Sequence, residues 1–458
     1  MPPSSATVAS AVVLSYEALL RGDDLSEKIE EAFGVDGIGI LTVSGVPELA
    51  EVRDRLLPLA NEFAALPGDV KSKYETPEAF YSRGWSHGRE KLQGRPDVAK
   101  GSYYANPLAN APFAHDPKAV EAHPTFCAPN LWPDEVPELE NAFMTAGQLV
   151  HRVGLLVAAQ CDRYVRSKCT SYAPKTHLEE IIRTSRVCCG RLLYYFPMVD
   201  PMAASDGVEG EGGKAVDTAE DTAFSSWCGW HNDHGSLTGL IPGMFFDHRQ
   251  GCSEGADGTA DAAAASDAAA ADAANGSGSE DSGVEADGSS SSDGRRLRGR
   301  RNESVSSLAS STTQFSPSVM AAPIALAASP DPTAGLHVRS RKGELVRVPM
   351  PTNHLAFQIG ETAQVHSGGL LQATPHAVRG CSVPGISRAT FAVFMEPEWH
   401  VSMAAPDGID PKATQSSAAA SFLPKGVPPL HSRWGTEECP FTTCNFGDFS
   451  TETFKRYH

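Results

Sequence analysis

The segment Trp230-His231-Asn232-Asp233-His234-Gly235 sets an imidazole and a carboxylate two residues apart. In an extended strand successive side chains alternate between faces, so His231 and Asp233 are expected on one side, as two ligands of a metal ion would be. By itself the pair is unremarkable, since a chain with 15 histidines yields about one such spacing by accident. Candidates for a second histidine are His337, His354, His366 and His376. His376 is singled out because Arg388-Ala389-Thr390 follows twelve residues on, at the start of a strong strand pattern. Alternation puts Arg388 and Thr390 on one face, where a guanidinium fork and a hydroxyl together suit a carboxylate.

Periodicity indicates the elements that must position these residues. Residues 12–14 read as a short strand, 25–34 as a helix ending at a glycine, and 37–43 as a buried strand. Val52, Leu56, Leu59, Phe63 and Leu66 recur at helical spacing, with Pro58 expected to bend the helix. The opening is thus a β-α-β-α cap. Residues 81–107, rich in Gly, Ser, aromatic and charged side chains, read as an ordered loop. Leu139, Phe143, Ala146, Val150, Val153 and Val157 mark a long helix over about 137–165, the support for a sheet, and His151 within it reads as structural. Residues 191–197 form an aromatic strand ending in proline, and Leu355, Phe357 and Ile359 alternate, as do Phe391, Val393 and Met395.

The 458 residues, 41% apolar, suffice for one large or two ordinary domains, and a net charge of -18 argues against nucleic-acid binding. Ten cysteines without a repeated CxxC read as reduced thiols of an intracellular protein, with Cys439 and Cys444 as a possible peripheral redox pair. No run of eighteen apolar residues argues for a membrane span, and residues 1–13 carry no secretory or transit pattern, so the cytoplasm is the expected location. Residues 251–332 contain too few large apolar side chains to offset ordering entropy and read as a disordered insert. Arg295, Arg296, Arg298, Arg300 and Arg301 within it read as a solvated charge run, and Asn302-Glu303-Ser304 as an unused sequon. The Gly213-Lys214 pair lacks the rest of a phosphate-binding loop, and Gly251-Cys252-Ser253-Glu254-Gly255 lacks the helix a nucleophile elbow needs. With strands on both sides of the insert, one β-core with a long loop is the simplest architecture. Stretching a connection about ninefold costs only ~2 kcal/mol in closure entropy.

HxD, a later His and a following Arg-x-Ser/Thr, in this order, resemble the Fe(II)/2-oxoglutarate dioxygenases of the isopenicillin N synthase type. The likeness extends to Gly37-Ile38-Gly39-Ile40-Leu41, Tyr194-Tyr195-Phe196-Pro197, Phe357-Gln358-Ile359-Gly360-Glu361 and Arg388-Ala389-Thr390-Phe391. It implies a mixed α/β fold with a double-stranded β-helix (jelly-roll) core and a helical amino-terminal cap. The cap would span 1–130, the support helix and first half of the core 131–250, the insert 251–332, the second half 333–400, and a carboxy-terminal extension 401–458. By the same resemblance His231, Asp233 and His376 hold Fe(II) and form the catalytic centre. Arg388, Thr390 and Tyr195 bind 2-oxoglutarate; aligning on Pro197 would put Phe196 in the tyrosine's place, and a shift of one residue gives Tyr195.

The implied reaction couples decarboxylation of 2-oxoglutarate to succinate with O2-dependent hydroxylation, desaturation or demethylation of a small organic molecule, with ascorbate as a further candidate cofactor. A monomer without nucleic-acid or membrane partners is expected. An iron oxidase that does not use 2-oxoglutarate is the alternative within the class, and a catalytically silent binding protein is the alternative outside it. A zinc hydrolase on the same triad would leave Arg388 and Thr390 without a purpose.

Overall fold

Helix Glu138–Lys168 is the element on which the sheets are laid. Leu139, Phe143, Ala146, Val150, Val153 and Val157 recur every three or four residues and all are buried, so one stripe of the helix faces the core. Its length and apolar content would suffice to cross a membrane, contrary to the expectation that no segment would; the apolar stripe is instead spent on the protein interior. The computed structural model describes residues 6–89, 91–92, 95–198, 226–249, 322–415 and 422–457. The arginine run, the sequon, Gly213-Lys214 and the 251–255 motif lie outside them.

The larger sheet has nine strands. In spatial order they are β2 (Val12–Ser15), β3 (Ile40–Ser44), β14 (His354–Ile359), β10 (Leu237–Asp247), β16 (Ile386–Met395), β8 (Cys189–Tyr195), β7 (Lys100–Ala105) and β4 (Gly84–His87), with β11 (Ile324–Leu326) also paired to β10. The second sheet runs β1 (Thr7–Val8), β13 (Leu345–Arg347), β12 (Gly335–Arg339), β15 (His376–Arg379), β9 (Ser226–His231). A small ribbon joins β5 (Lys91–Leu92) to β6 (Arg95–Pro96).

The alternation of β16 separates two environments. Phe391, Val393 and Met395 share one core with the long helix, whereas Arg388, Thr390, Ala392 and Phe394 line a cavity on the other face. The same division holds on β10, where Leu237 and Ile241 face the helix and Thr238 and Leu240 the cavity. Helix and sheet approach closely: a Cβ on Gly239 would lie 2.3 Å from a Val150 methyl, and one on Gly154 2.6 Å from the Met395 sulfur. Only glycine fits at these two contacts.

Two expectations are corrected. Residues 81–107 are not a loop: β4 and β7 extend the larger sheet beyond β8. Their strand character was hidden because buried Lys100 and Ser102 break the apolar alternation that marks ordinary strands. The amino-terminal strands join the same sheet, since β3 pairs antiparallel with β14 and β2 parallel with β3. Finally, structure resumes before residue 333. Strand β11 pairs with β10 as a mostly exposed edge, which needs no apolar pattern, and Asp331 accepts hydrogen bonds from the Thr333 and Ser382 backbone N–H groups at 2.8 and 2.9 Å and from their hydroxyls at 2.6 and 2.7 Å. Helix Leu49–Ala64 contains Pro58 within its span.

Because Asp247 and Ile324 are antiparallel partners, the chain ends flanking residues 250–321 are adjacent. Replacing those residues by a short Gly/Ser turn is expected to keep or raise Tm, the shorter closure being worth up to about 2 kcal/mol. Extending the deletion through Asp331 is expected to cost at least ~1 kcal/mol, because the four part-buried hydrogen bonds to its carboxylate are lost. Thermal melts of the two deletions check this.

Candidate metal centre

β9 and β15 are antiparallel neighbours, and His231 and His376 stand directly opposite each other in that register. Their rings lie 4.2 Å apart, centroid to centroid. The chain then leaves β9, and Asp233 returns from the turn that leads into β10. Its Oδ1 lies 3.9 Å from His231 Nε2 and 3.8 Å from His376 Nε2. The pair His231/Asp233 is thus brought together by a turn, not by alternation along a strand as the spacing predicts. Three possible ligand atoms, one from each residue, lie within 4.8 Å of one another.

The hydrogen bonding around these side chains suits a cation. Nδ1 of His231 is 2.8 Å from the Gly229 carbonyl and Nδ1 of His376 is 3.2 Å from that of Thr374. A carbonyl can only accept, so each Nδ1 carries the proton and each Nε2 presents its lone pair to the centre. Burial pushes both imidazoles below their ordinary range, toward the neutral form that a metal requires. Oδ2 of Asp233 is buried without a hydrogen-bond partner. An orphaned carboxylate oxygen beside two imidazole lone pairs is costly unless something positive sits between them, and the donor set fits a two-histidine, one-carboxylate metal site.

Across the cavity, Arg388 stands opposite Tyr195 in the β16/β8 register, with its guanidinium 5.2 Å from the Tyr195 ring centre and 5.9 Å from that of Phe245. Arg388 is buried, its Nη1 has no partner, and among the described residues no carboxylate pairs with it. Burial depresses its basicity, offset in part by the Tyr195 hydroxyl beside it. Tyr195 stacks on Trp227, and burial pushes its phenol up to about 12, so it stays protonated as a donor. Phe196, the other candidate for the tyrosine position, packs instead against His87 and Tyr194. Thr390 lines the cavity, but its hydroxyl donates to the Ile241 carbonyl at 2.8 Å.

The cavity, of about 60 Å³, holds all six residues singled out in the sequence: His231, Asp233, His376, Arg388, Thr390 and Tyr195. Sequence reasoning did not place Gln358, Cys228 or Arg191 there, yet they line it too. Gln358 was within reach, since it faces opposite to Phe357 and Ile359 on β14, and its buried Nε2 has no partner. The rejected histidines are structural: His337 bonds to the Gly335 carbonyl, His354 to the Thr42 hydroxyl and His366 to the Ser402 carbonyl. His151 meets the Ile182 carbonyl, in keeping with the structural role expected for it.

A His-Asp-His cluster that could hold a metal ion thus faces a buried arginine across one cavity. Residues 13–135 match the family described as non-haem dioxygenase in morphine synthesis, N-terminal. The chain is similar in fold to a 2OG-Fe(II) oxygenase family protein from Caulobacter crescentus (14% identity over 99% of this chain and 100% of that one, TM-score 0.53). It is also similar to full-length Neurospora crassa T7H, whose crystal structure contains alpha-KG and 5-formyluracil (16% identity over 89% and 92%, TM-score 0.51). No curated protein sequence matches it. The amino-terminal match and the fold make the chain similar to Fe(II)/2-oxoglutarate dioxygenases.

Behind the turn, His234 Nε2 lies 3.7 Å from Glu396 Oε1, both side chains mostly buried. Burial pushes His234 down to about 4 and Glu396 up to about 8. An unfolded glutamate releases its proton near 4.5. From about pH 4.5 to 6.5 the proton that Glu396 keeps in the native protein is offset by the one that His234 gives up on folding, an unfolded histidine holding its proton up to about 6.5, so stability falls as pH rises from about 6.5 to 8. The slope there reaches up to ~1.4 kcal/mol per pH unit for one group. Glu396→Gln is expected to flatten that decline, measured as urea midpoints at pH 6.5 and pH 8.

Proposed function

We propose that this chain is an Fe(II)- and 2-oxoglutarate-dependent dioxygenase that oxidises a small organic molecule and releases succinate and CO2. The observation that carries the reading is the pairing of two charges across one cavity that are unmet among the described residues: a carboxylate oxygen without a donor at His231/Asp233/His376, and a buried guanidinium without an acid at Arg388. A bound iron supplies the redox chemistry that activates O2 with electrons from a 2-oxo acid. The rest falls to this chain's own residues.

His231, Asp233 and His376 would hold the ion on one face and leave the cavity side open for ligands. Arg388 would take the far carboxylate of the co-substrate through its paired N–H groups, with the Tyr195 hydroxyl as a further donor. The Thr390 hydroxyl would have to turn from the Ile241 carbonyl to join them, so its contribution is the smaller one. Leu193, Leu240, Leu336, Met350 and Phe394 supply the apolar remainder of the wall, which limits water around the reacting centre. The double-stranded β-helix is the form of core that the two facing sheets, with the ligands on the smaller one, support best.

His376→Ala is expected to abolish stoichiometric binding of Fe(II) or Mn(II). Arg388→Met is expected to keep the metal and weaken 2-oxoglutarate by about 2–5 kcal/mol, the usual cost of removing one partner from a buried charge pair. Anaerobic titration of the Fe(II) protein with 2-oxoglutarate, followed by the visible band of a chelated 2-oxo acid, reads both. Turnover of substrate without any 2-oxo acid would overturn the co-substrate assignment and favour the oxidase alternative.

A further inference from the structure

The carboxy-terminal segment reaches the metal turn through a chain of three polar side chains. Arg433 is fully buried and forms a two-pronged ion pair with Glu361: Nη1 to Oε2 at 2.7 Å and Nη2 to Oε1 at 2.6 Å. Its fork also donates to the Thr453 hydroxyl at 3.1 Å and the Pro428 carbonyl at 3.0 Å. The same Glu361 Oε1 accepts from the side-chain amide of Asn232 at 3.1 Å. Asn232 stands between His231 and Asp233. The start of helix Glu361–His366 meets the same turn through the backbone, with Glu361 N–H donating to the Asp233 carbonyl at 2.8 Å and Thr362 N–H to that of Gly235 at 3.1 Å. The Thr362 hydroxyl donates to the His234 carbonyl at 2.6 Å.

We propose that Arg433 is a positioning residue of the metal centre: it fixes the Glu361 carboxylate, which holds the Asn232 amide and so sets the turn between His231 and Asp233. The inference rests on the reading of His231, Asp233 and His376 as metal ligands. A buried ion pair is a poor device for stability alone, because apolar residues of similar size often serve as well. What apolar residues cannot supply is an oriented acceptor for Asn232. Glu361 without Arg433 would be a buried charge free to turn toward other donors, and the turn would lose its tether from Asn232 to Glu361. Outer partners of this kind tune metal affinity by orienting the ligands. The carboxy-terminal segment is thereby part of the site, two contacts from the ligands. It is closed by the buried Cys439–Cys444 disulfide and stacked on His234 through Phe446 at a ring distance of 5.7 Å.

The test is Mn(II) affinity of the full-length apoprotein by electron paramagnetic resonance, alongside apoprotein Tm, for Arg433→Met, Asn232→Ala and their combination, with His376→Ala as control. The parent is expected to bind one Mn(II) that the control does not. Each single variant should weaken binding about 10–100-fold, and the double variant should be no weaker than the weaker single, because both break one chain of contacts. Parental affinity in a folded Arg433→Met protein would overturn the proposal, as would losses that multiply in the double variant. If Arg433→Met does not fold, Arg433→Lys, which keeps the charge and loses the fork, replaces it in the same cycle, and multiplied losses again decide against the proposal. Failure of the parent itself to bind Mn(II) would overturn the metal assignment and this inference with it, and is distinct from a selective failure of the Arg433 arm.

Discussion

The structure depends on the antiparallel register of β9 with β15, which sets His231 opposite His376 although they stand 145 positions apart in the chain. A slip of one residue would turn one imidazole to the opposite face of the smaller sheet, because strand side chains alternate with a period of two. That register is held from both sides. β15 is paired to β12 on its other edge, and the turn after β9 is bonded to the start of helix Glu361–His366. Two separate polar systems, a ladder and a helix start, therefore fix the same three side chains.

The larger sheet acts as a partition. Its helix-facing side chains build the main core around Glu138–Lys168, and the alternate positions of the same strands are released from core duty. This is why Arg388, Thr390 and Tyr195 can be buried and polar without dismantling the fold: apolar neighbours at Ala389, Phe391 and Tyr194 carry the packing. Charges are kept apart across the cavity, acid on the small sheet's turn and guanidinium on the large sheet. Glu361 and Arg433, behind the cavity, find their partners in each other.

The cysteines show how composition misleads at one position. Seven described cysteines are free, as a count without repeated spacing implies, but Cys439 and Cys444 are joined and lie at 0% and 2% exposure, not at the periphery. They stand five positions apart, and two turns, with Gly435 N–H bonded to the Cys439 carbonyl and Cys444 N–H to that of Pro440, bring the sulfurs together inside a small aromatic cluster around Trp434 and Phe446. Spacing names this pair as a candidate but does not place it in the interior, since sulfur distance and burial are properties of the folded backbone.

By itself the sequence determined the elements whose apolar residues repeat with a clear period: the long helix, β10's partners β14 and β16, and the helices Ser26–Phe33 and Leu49–Ala64, though not Tyr16–Arg21. It also determined which side chains had the chemistry for the site, because imidazole, carboxylate and guanidinium are fixed by residue type. Only the tertiary structure decided that Asp233 comes from a turn, that Tyr195 and not Phe196 faces Arg388, and that residues 81–107 and 324–326 are strands. It alone brought Arg433 to Glu361 and Asn232. The physical reason is range: periodicity records what one element buries along its own length, whereas a polar residue's partner is set by which distant segments the closed sheets bring within about 3 Å of it.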